Sequence, residues 1–352
     1  MPLNSPADSA ASSNKTIGYC IVGLGSISMK EFMPGLRLSS KSKVVAVVSG
    51  HRPKAERVAS EYGVAPRAIY SYDNYDTIRD NPEIDAVYIA LPNGMHAEYT
   101  IRAAKAGKHV LCEKPMANSV TECEQMIAAC KQANRKLMIA YRCQYEPTNL
   151  KAIELLRQGY AGDLVTMSSS NGFNIGANQW RLNKKLAGGG PLVDTGIYSL
   201  QAARYLTGEE PVEVEAFSSV TSHDGRFKEV EETVVWSMRF PSGILAHCST
   251  TYGSNFIGSS ARVVGSKGML ELNPAFSYQG LHLVGRAEGK SPLDIAFDNP
   301  SPRQFTTEAD YFSDCILKDK QPKTDGEDGL RDQRIMTAIY KSCATGKSIK
   351  LA

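Results

Sequence analysis

The stretch CIVGLGSISMKEFMPGL, Cys20 to Leu36, decides how the first half of the chain folds. It starts as an apolar strand, passes through a glycine loop and continues as a helix. Gly23 and Gly25 occupy the first two positions of the Gly-x-Gly-x-x-Gly pattern of dinucleotide sites, and Ser28 occupies the third. The third position serves close packing of the helix on the strand, which a small serine allows. The loop therefore still predicts a phosphate-binding turn.

The first glycine permits a tight turn, and the second lets the backbone approach a pyrophosphate. The helix start that follows adds amide donors and a favourable dipole. The expected contacts are Gly23, Leu24, Gly25, Ser26 and Ile27. The alternative is a strand–helix turn that needs glycine for its conformation alone.

Apolar runs alternate with amphipathic segments over residues 15–142. The runs include KVVAVVSG, IDAVYIALP, HVLCEKP and KLMIAYR. Continuous apolar strands are typical of a sheet that is buried on both faces. The alternation predicts a doubly wound, parallel Rossmann sheet over residues 15–142. Residues 1–14 lack periodicity and are predicted to form a flexible arm.

The pattern changes after about residue 143. Segments such as VEVEAFSSV and EETVVWSMRF are separated by tight turns, which predicts an α+β domain on a large, mainly antiparallel open sheet over residues 143–352. Two helices are expected from Phe305 onward. We expect a ligand at the seam between the domains, beyond the carboxyl ends of the parallel strands. The free face of the open sheet favours a homodimer.

Composition excludes several classes of protein. The formal net charge of +3 over 352 residues is too small to indicate nucleic acid or membrane binding. We see no apolar run of membrane-spanning length and no signal sequence, so a cytoplasmic protein is expected. The eight cysteines form no CxxC pair, which indicates free thiols and no metal site.

The end of the second strand predicts the choice of cofactor. An NAD enzyme would carry an acidic residue there to bind the ribose. This chain has Ser49, Gly50, His51, Arg52 and Lys54 instead. A hydroxyl, a flexible glycine and basic groups suit a 2′-phosphate, which favours NADP. The alternative is that Arg52 and Lys54 only begin a solvated helix.

Two segments carry candidate chemistry. HVLCEKPMA places Lys114 at the carboxyl end of a parallel strand, where it would point into the crevice unless it ends a solvated turn. In LAGGGPLVDTGIYSLQAARYL, Asp194 and Tyr198 lie four residues apart on one helix face. A carboxylate and a phenol can bind and deprotonate a sugar hydroxyl. The alternative is a capping aspartate and a half-buried core tyrosine.

Four segments together carry a resemblance to a known family. VGLG, LPNGMHAEYTIRAAKAGKHVLCEKPMA, YRCQYEP and QWRLNKKLAGGGPLVDTGIYSLQAARYLTGEEP resemble the glucose–fructose oxidoreductase, inositol dehydrogenase and dihydrodiol dehydrogenase family. The likeness runs from about Lys15 to the C-terminus. It is strongest to the branch that contains the glucose–fructose and aldose–aldose oxidoreductases.

The resemblance implies roles for individual residues. It implies that Lys114 binds the reacting hydroxyl and lowers the pKa of Tyr198, that Tyr198 is the general acid/base, and that Asp194 binds substrate hydroxyls. Arg142 is expected near nicotinamide and substrate, and Tyr145 in the substrate wall. The further cofactor contacts expected, beside Lys114 and Arg142, are Tyr70, Leu91, Pro92, Asn93, His96, Glu113, Trp180 and Arg181.

The implied activity is a sugar–sugar oxidoreductase. An aldose would be oxidised at C1 to the aldonolactone, and tightly bound NADPH would return the hydride to a second sugar carbonyl in ping-pong fashion. One alternative is an NADP-dependent aldose dehydrogenase that releases its cofactor. Another is a non-catalytic NADP-binding sensor, against which Lys114, Asp194 and Tyr198 together argue.

Overall fold

The structure is a computed structural model that describes residues 15–297 and 301–351. The predicted arm, residues 1–14, lies outside the described residues. Two sheets organise the chain, one of six strands and one of nine. No helix within the described ranges combines the length and apolar character needed to cross a bilayer.

The six-stranded sheet is parallel throughout, in the order β3-β2-β1-β4-β5-β6. Its strands are β1 (Ile17–Val22), β2 (Ser42–Val48), β3 (Ile69–Tyr70), β4 (Ala86–Ile89), β5 (His109–Glu113) and β6 (Leu137–Ala140). Its helices are α1 (Met33–Arg37), α2 (Arg52–Tyr62), α3 (His96–Lys105) and α4 (Val120–Gln132). Strands β1, β4 and β6 are buried along their whole length, as continuous apolar runs predict.

The helix predicted after the glycine loop is shorter than expected. A π-helical turn, Ser28–Phe32, comes first and leads directly into α1. Pro34 lies at the start of α1, where its missing N–H is tolerated. The proline therefore does not break the helical path.

The nine-stranded sheet has the order β14-β13-β12-β11-β7-β10-β9-β8-β15. Its strands are β7 (Leu164–Gly172), β8 (Glu213–Ser219), β9 (Thr233–Arg239), β10 (Leu245–Thr251), β11 (Ser259–Gly265), β12 (Gly268–Leu272), β13 (His282–Ala287), β14 (Leu293–Ala296) and β15 (Ile349–Lys350). Neighbours are antiparallel except β7 and β10, which pair in parallel. The predicted fold class, a Rossmann domain followed by a mainly antiparallel open sheet, is confirmed.

Within the described residues, five helices belong to the second half of the chain. They are α5 (Pro147–Arg157), α6 (Lys184–Ala187), α7 (Ile197–Thr207), α8 (Ser301–Leu317) and α9 (Gly326–Thr345). A π-helical turn, Leu192–Gly196, leads into α7. Helix α8 packs back on the Rossmann sheet, since the buried Tyr19 hydroxyl donates to the Ala309 carbonyl at 3.1 Å. The predicted division at residue 142 stays a prediction, because α8 contributes to the packing of the first sheet.

Candidate active site

The glycine loop has the shape that a phosphate group needs. Gly23 has φ +94°, and a Cβ there would lie 2.6 Å from the Ala90 carbonyl oxygen. A Cβ on Gly25 would meet nothing within 4 Å, so the backbone faces open space. The Ser28 hydroxyl donates to the Gly23 carbonyl at 2.6 Å. The serine in the third glycine position therefore fastens the turn, and the loop fits a dinucleotide pyrophosphate.

The basic groups after β2 lie beside this loop. The Lys54 ammonium donates to the Leu24 carbonyl, which joins the start of α2 to the glycine loop. Ser49 accepts a hydrogen bond from the His51 amide at 3.1 Å, and His51 caps α2 by accepting from the Lys54 amide at 3.2 Å. Arg52 is mostly exposed and pairs with Glu56 at 2.8 Å. The structure thus brings the predicted 2′-phosphate residues together at one edge of the sheet.

Asn93 and His96 connect the loops that follow the strands of the parallel sheet. The fully buried His96 ring has its two nitrogens 2.9 Å from the carbonyls of Pro115 and Leu91. Burial lowers its pKa, which favours the neutral ring. Asn93 donates to the Ala187 carbonyl at 2.8 Å, across to the second domain. A neutral ring can donate to only one of the two carbonyls. Cofactor contact by Asn93 and His96 stays a prediction.

Three side chains converge on the Asp194 carboxylate. The Lys114 ammonium donates to Oδ1 at 3.3 Å and to the Asp194 carbonyl at 2.6 Å. Arg181 Nε and the Tyr252 hydroxyl donate to Oδ2 at 2.9 Å and 2.7 Å. Burial alone would raise the pKa of Asp194, but Lys114 and Arg181 outweigh it and hold the pKa at about 2. Asp194 is therefore a permanent carboxylate and a weak base.

Tyr198 lies beside this cluster, between two cations. Its ring centroid is 4.9 Å from the Lys114 ammonium and 5.0 Å from the Arg142 guanidinium carbon. Burial raises the pKa of the Tyr198 phenol, and Arg142 is the strongest influence that lowers it. The expectation that Lys114 tunes the phenol stays a prediction; Lys114 is also hydrogen-bonded to Asp194.

Cofactor contact by Glu113 and Trp180, and a place for Tyr145 in the substrate wall, stay predictions. Glu113 accepts from the Tyr88 hydroxyl at 2.6 Å, and Trp180 lies 4.7 Å from the Arg181 guanidinium carbon. Tyr145 lies in the core, where its hydroxyl is 2.8 Å from Thr324 Oγ1. No hydrogen bond of the described structure joins Tyr145 to Asp194 or Tyr198.

The sites of Tyr70, Leu91 and Pro92 remain predictions. Tyr70, at the end of β3, and Leu91, just after β4, are buried, and Pro92 is half-buried. The Tyr70 hydroxyl accepts a hydrogen bond from the Asn81 side chain at 3.2 Å. Gly50 lies next to the Tyr72 ring, and a Cβ on Gly50 would lie 3.2 Å from a carbon of that ring. Their positions at the carboxyl edge of the sheet are compatible with cofactor contact.

Tyr252 is a site residue that sequence reasoning missed. It follows β10 directly, and β10 runs parallel to β7. Its hydroxyl donates to Asp194, and burial raises its pKa, so it stays a donor at neutral pH. The only signal in the sequence is a tyrosine at the end of a predicted strand, which is too common to identify a site.

Two family profiles match the chain. The profile described as "Oxidoreductase family, NAD-binding Rossmann fold" matches residues 17–141. The GFO/IDH/MocA C-terminal domain matches residues 149–271. The first match covers all six strands of the parallel sheet, and the second covers β7 to β11 and most of β12.

Several proteins are similar over most of the length. The D-xylose 1-dehydrogenase (NADP(+)) of Haloarcula marismortui is 30% identical over 341 residues, 95% of this chain and 93% of that protein. The trans-1,2-dihydrobenzene-1,2-diol dehydrogenase of Danio rerio is 30% identical over 305 residues, 84% of this chain and 87% of that protein. The crystal structure of aldose–aldose oxidoreductase from Caulobacter crescentus, complexed with glycerol, superposes with a TM-score of 0.92 at 46% identity, covering 96% of this chain and 100% of that one. The chain therefore belongs to the GFO/IDH/MocA family of oxidoreductases, which confirms the resemblance.

Proposed function

We propose that the protein is an NADP-dependent sugar oxidoreductase. It oxidises an aldose at C1 to the aldonolactone and returns the hydride to a second sugar carbonyl, which becomes a sugar alcohol, while NADP stays bound. The observation that carries the proposal is the Asp194 cluster beside Tyr198, which combines a permanent carboxylate, a cation and a phenol. The 46% identity to an aldose–aldose oxidoreductase supports the sugar class.

The carboxylate has one acceptor position left for a substrate. A carboxylate offers about four lone-pair sites. Arg181 and Tyr252 use Oδ2, and Lys114 uses one site on Oδ1. A sugar hydroxyl can therefore donate to Oδ1 next to the Lys114 ammonium. Lys114 can in turn donate to the reacting oxygen, because an ammonium has three donors.

Tyr198 is the group proposed to move the proton. It takes the proton of the C1 hydroxyl during oxidation and gives it to the carbonyl oxygen of the second sugar. Bound NADP supplies the hydride chemistry. The glycine loop would hold its pyrophosphate, and Ser49, His51, Arg52 and Lys54 would hold its 2′-phosphate.

The absorbance of the purified protein tests the ping-pong proposal. After extensive dialysis, an added aldose should generate the reduced-nicotinamide band without added NADP, and a second sugar should then remove that band. Tyr198→Phe should slow both steps by about 10²–10⁴-fold, as expected for a lost general acid/base. Parent rates in this variant would transfer the proton role to another residue.

An ordinary NADP-dependent aldose dehydrogenase is the second candidate. It is favoured by the 30% identity to a D-xylose 1-dehydrogenase over 95% of the chain. In that case dialysis should remove the cofactor, and the first sugar should give no band until NADP is added. The same spectrum therefore separates the two candidates.

We further propose a homodimer that forms through the nine-stranded sheet. Phe217 on β8 and Leu245 on β10 are exposed large apolar side chains on this sheet. Their burial in an interface would be favourable, and light scattering of the purified protein tests the proposed dimer.

A cytoplasmic location is supported by eight free thiols, since reducing compartments preserve them.

A further inference from the structure

Arg142 is a buried cation that forms no ion pair with any carboxylate in residues 15–297 and 301–351. Only 5% of it is exposed. Its NH1 group donates to Gln304 Oε1 at 2.6 Å, and NH2 donates to the Phe276 carbonyl. These acceptors are neutral, and its Nε is without a hydrogen-bond partner in the described structure. An unpaired buried charge is costly, so its presence points to a functional role.

Glu308 does not supply the missing negative charge. It lies one turn after Gln304 on α8, is fully buried, and neither carboxyl oxygen has a hydrogen-bond partner among the described residues. Burial raises its pKa well above the usual range, and Glu113 raises it further. This direction favours the neutral form of Glu308, although Arg142 and Lys323 act against it, and a neutral Glu308 leaves the charge of Arg142 uncompensated.

The guanidinium lies against two phenols. Its central carbon is 5.0 Å from the ring centroid of Tyr198 and 4.5 Å from that of Tyr278. The other nearby cation, Lys114, is hydrogen-bonded to Asp194. Arg142 is consequently the cation whose charge remains available to the Tyr198 oxygen.

We propose that Arg142 is the positioning residue that makes Tyr198 an effective base, because its unpaired guanidinium stabilises the phenolate. The inference rests on the proposed acid/base role of Tyr198. Lys114 then has a separate task, which is to bind the reacting oxygen and Asp194. Arg142 exchanges no proton, since the proton from the sugar hydroxyl is held on Tyr198 and returned in the second half-reaction.

Titratable groups face Tyr198 and Arg142 from β5, the turn after β6, α7, the segment before β13, and α8. They are Glu113, Lys114, Cys143, Tyr205, Tyr278 and Glu308. Glu113 and Glu308 are the carboxyl groups among these that could offset the charge of Arg142 if they ionised. Glu113 accepts a hydrogen bond from Tyr88, whereas Glu308 has no hydrogen-bond partner among the described residues, so Glu308 is the residue to control.

Gln304→Glu is the sharpest test, because it places a carboxylate beside the Arg142 guanidinium and leaves both Arg142 and Tyr198 in the protein. We expect the pH midpoint of single-turnover aldose oxidation, at saturating NADP, to rise by about 1–3 pH units. Arg142→Met, which deletes the charge, should raise the midpoint in the same direction. Glu308→Gln is the matched control and should leave the midpoint unchanged.

A second measurement needs no turnover. The ultraviolet absorbance of tyrosinate is titrated in each protein and in its Tyr198→Phe counterpart, so that the difference reports Tyr198 alone. The same upward shift is expected in Gln304→Glu. If neither Gln304→Glu nor a folded Arg142→Met moves the tyrosinate midpoint, the inference is wrong. A tyrosinate midpoint that is lower in Glu308→Gln than in the parent protein also overturns the inference. It would mean that Glu308 is ionised in the parent protein and already offsets the charge of Arg142. A shift in tyrosinate without any effect of Tyr198→Phe on turnover would instead refute the proposed acid/base role.

Discussion

Asp194→Asn removes the charge that joins Lys114 and Arg181, and its effect on stability follows from the structure. The pKa of Asp194 is lowered from 3.8 to about 2, because the two cations outweigh burial. Lowering the pKa of this carboxyl to about 2 in the folded state corresponds to about 2–3 kcal/mol of unfolding free energy. The side chain is 16% exposed, so solvent screens the interaction little. We expect the variant to lose about 2–3 kcal/mol at neutral pH.

The sign of the pH dependence is fixed by the direction of the pKa change. A carboxyl whose pKa is lower in the folded state stabilises the fold fully above its unfolded pKa. That stabilisation is lost as the pH falls from about 4 towards about 2. The difference between parent and Asp194→Asn should therefore shrink over this window.

Urea denaturation of the parent protein and Asp194→Asn, at neutral pH and again near pH 2, measures the difference in their unfolding free energies. Asp73→Asn, at an exposed turn position, is the matched control and should change stability by less than about 0.5 kcal/mol. A neutral-pH loss as small as that of the control would refute the reasoning. So would a loss that stays constant down to about pH 2, since the carboxylate would then contribute only through packing.

Three further changes test neighbouring parts of the site. Arg52→Ala should weaken binding of NADP and leave NAD binding nearly unchanged in equilibrium titrations, whereas equal losses would show that Arg52 does not contact the 2′-phosphate. Tyr252→Phe removes one donor from Asp194 and should raise the KM for sugar more than it lowers kcat, while an unchanged KM would separate Tyr252 from substrate binding. Ser28→Ala removes the hydroxyl that donates to the Gly23 carbonyl and should cost about 1 kcal/mol in unfolding free energy, and an unchanged value would show that the hydrogen bond adds nothing net.

Local sequence patterns predicted the elements and the residues at their ends. The glycine loop, the end of β2 and Lys114 each follow a strand, so chain order alone places them at one edge of a parallel sheet. The contacts that complete the site join distant segments. Asp194 and Tyr252 are 58 residues apart, and Arg142 and Gln304 are 162 apart. Such pairings depend on how the second sheet and α8 pack against the first sheet. The local periodicity of apolar residues in the sequence does not encode that packing.

The charge balance of the site bears on the proposal that a phenol is its base. Lys114 and Arg142 lie on the Tyr198 ring, Arg181 binds Asp194, and Asp194 is the carboxylate held ionised by Lys114 and Arg181. Glu113 is half-buried, desolvation raises its pKa, and it accepts a hydrogen bond from Tyr88. Even with Glu113 ionised, the cations outnumber the carboxylates by one. A site with an excess positive charge favours the phenolate form of Tyr198, whereas burial opposes it. In the proposed mechanism the cluster around Asp194 binds the sugar, and the charge of Arg142 sets how readily Tyr198 takes the proton.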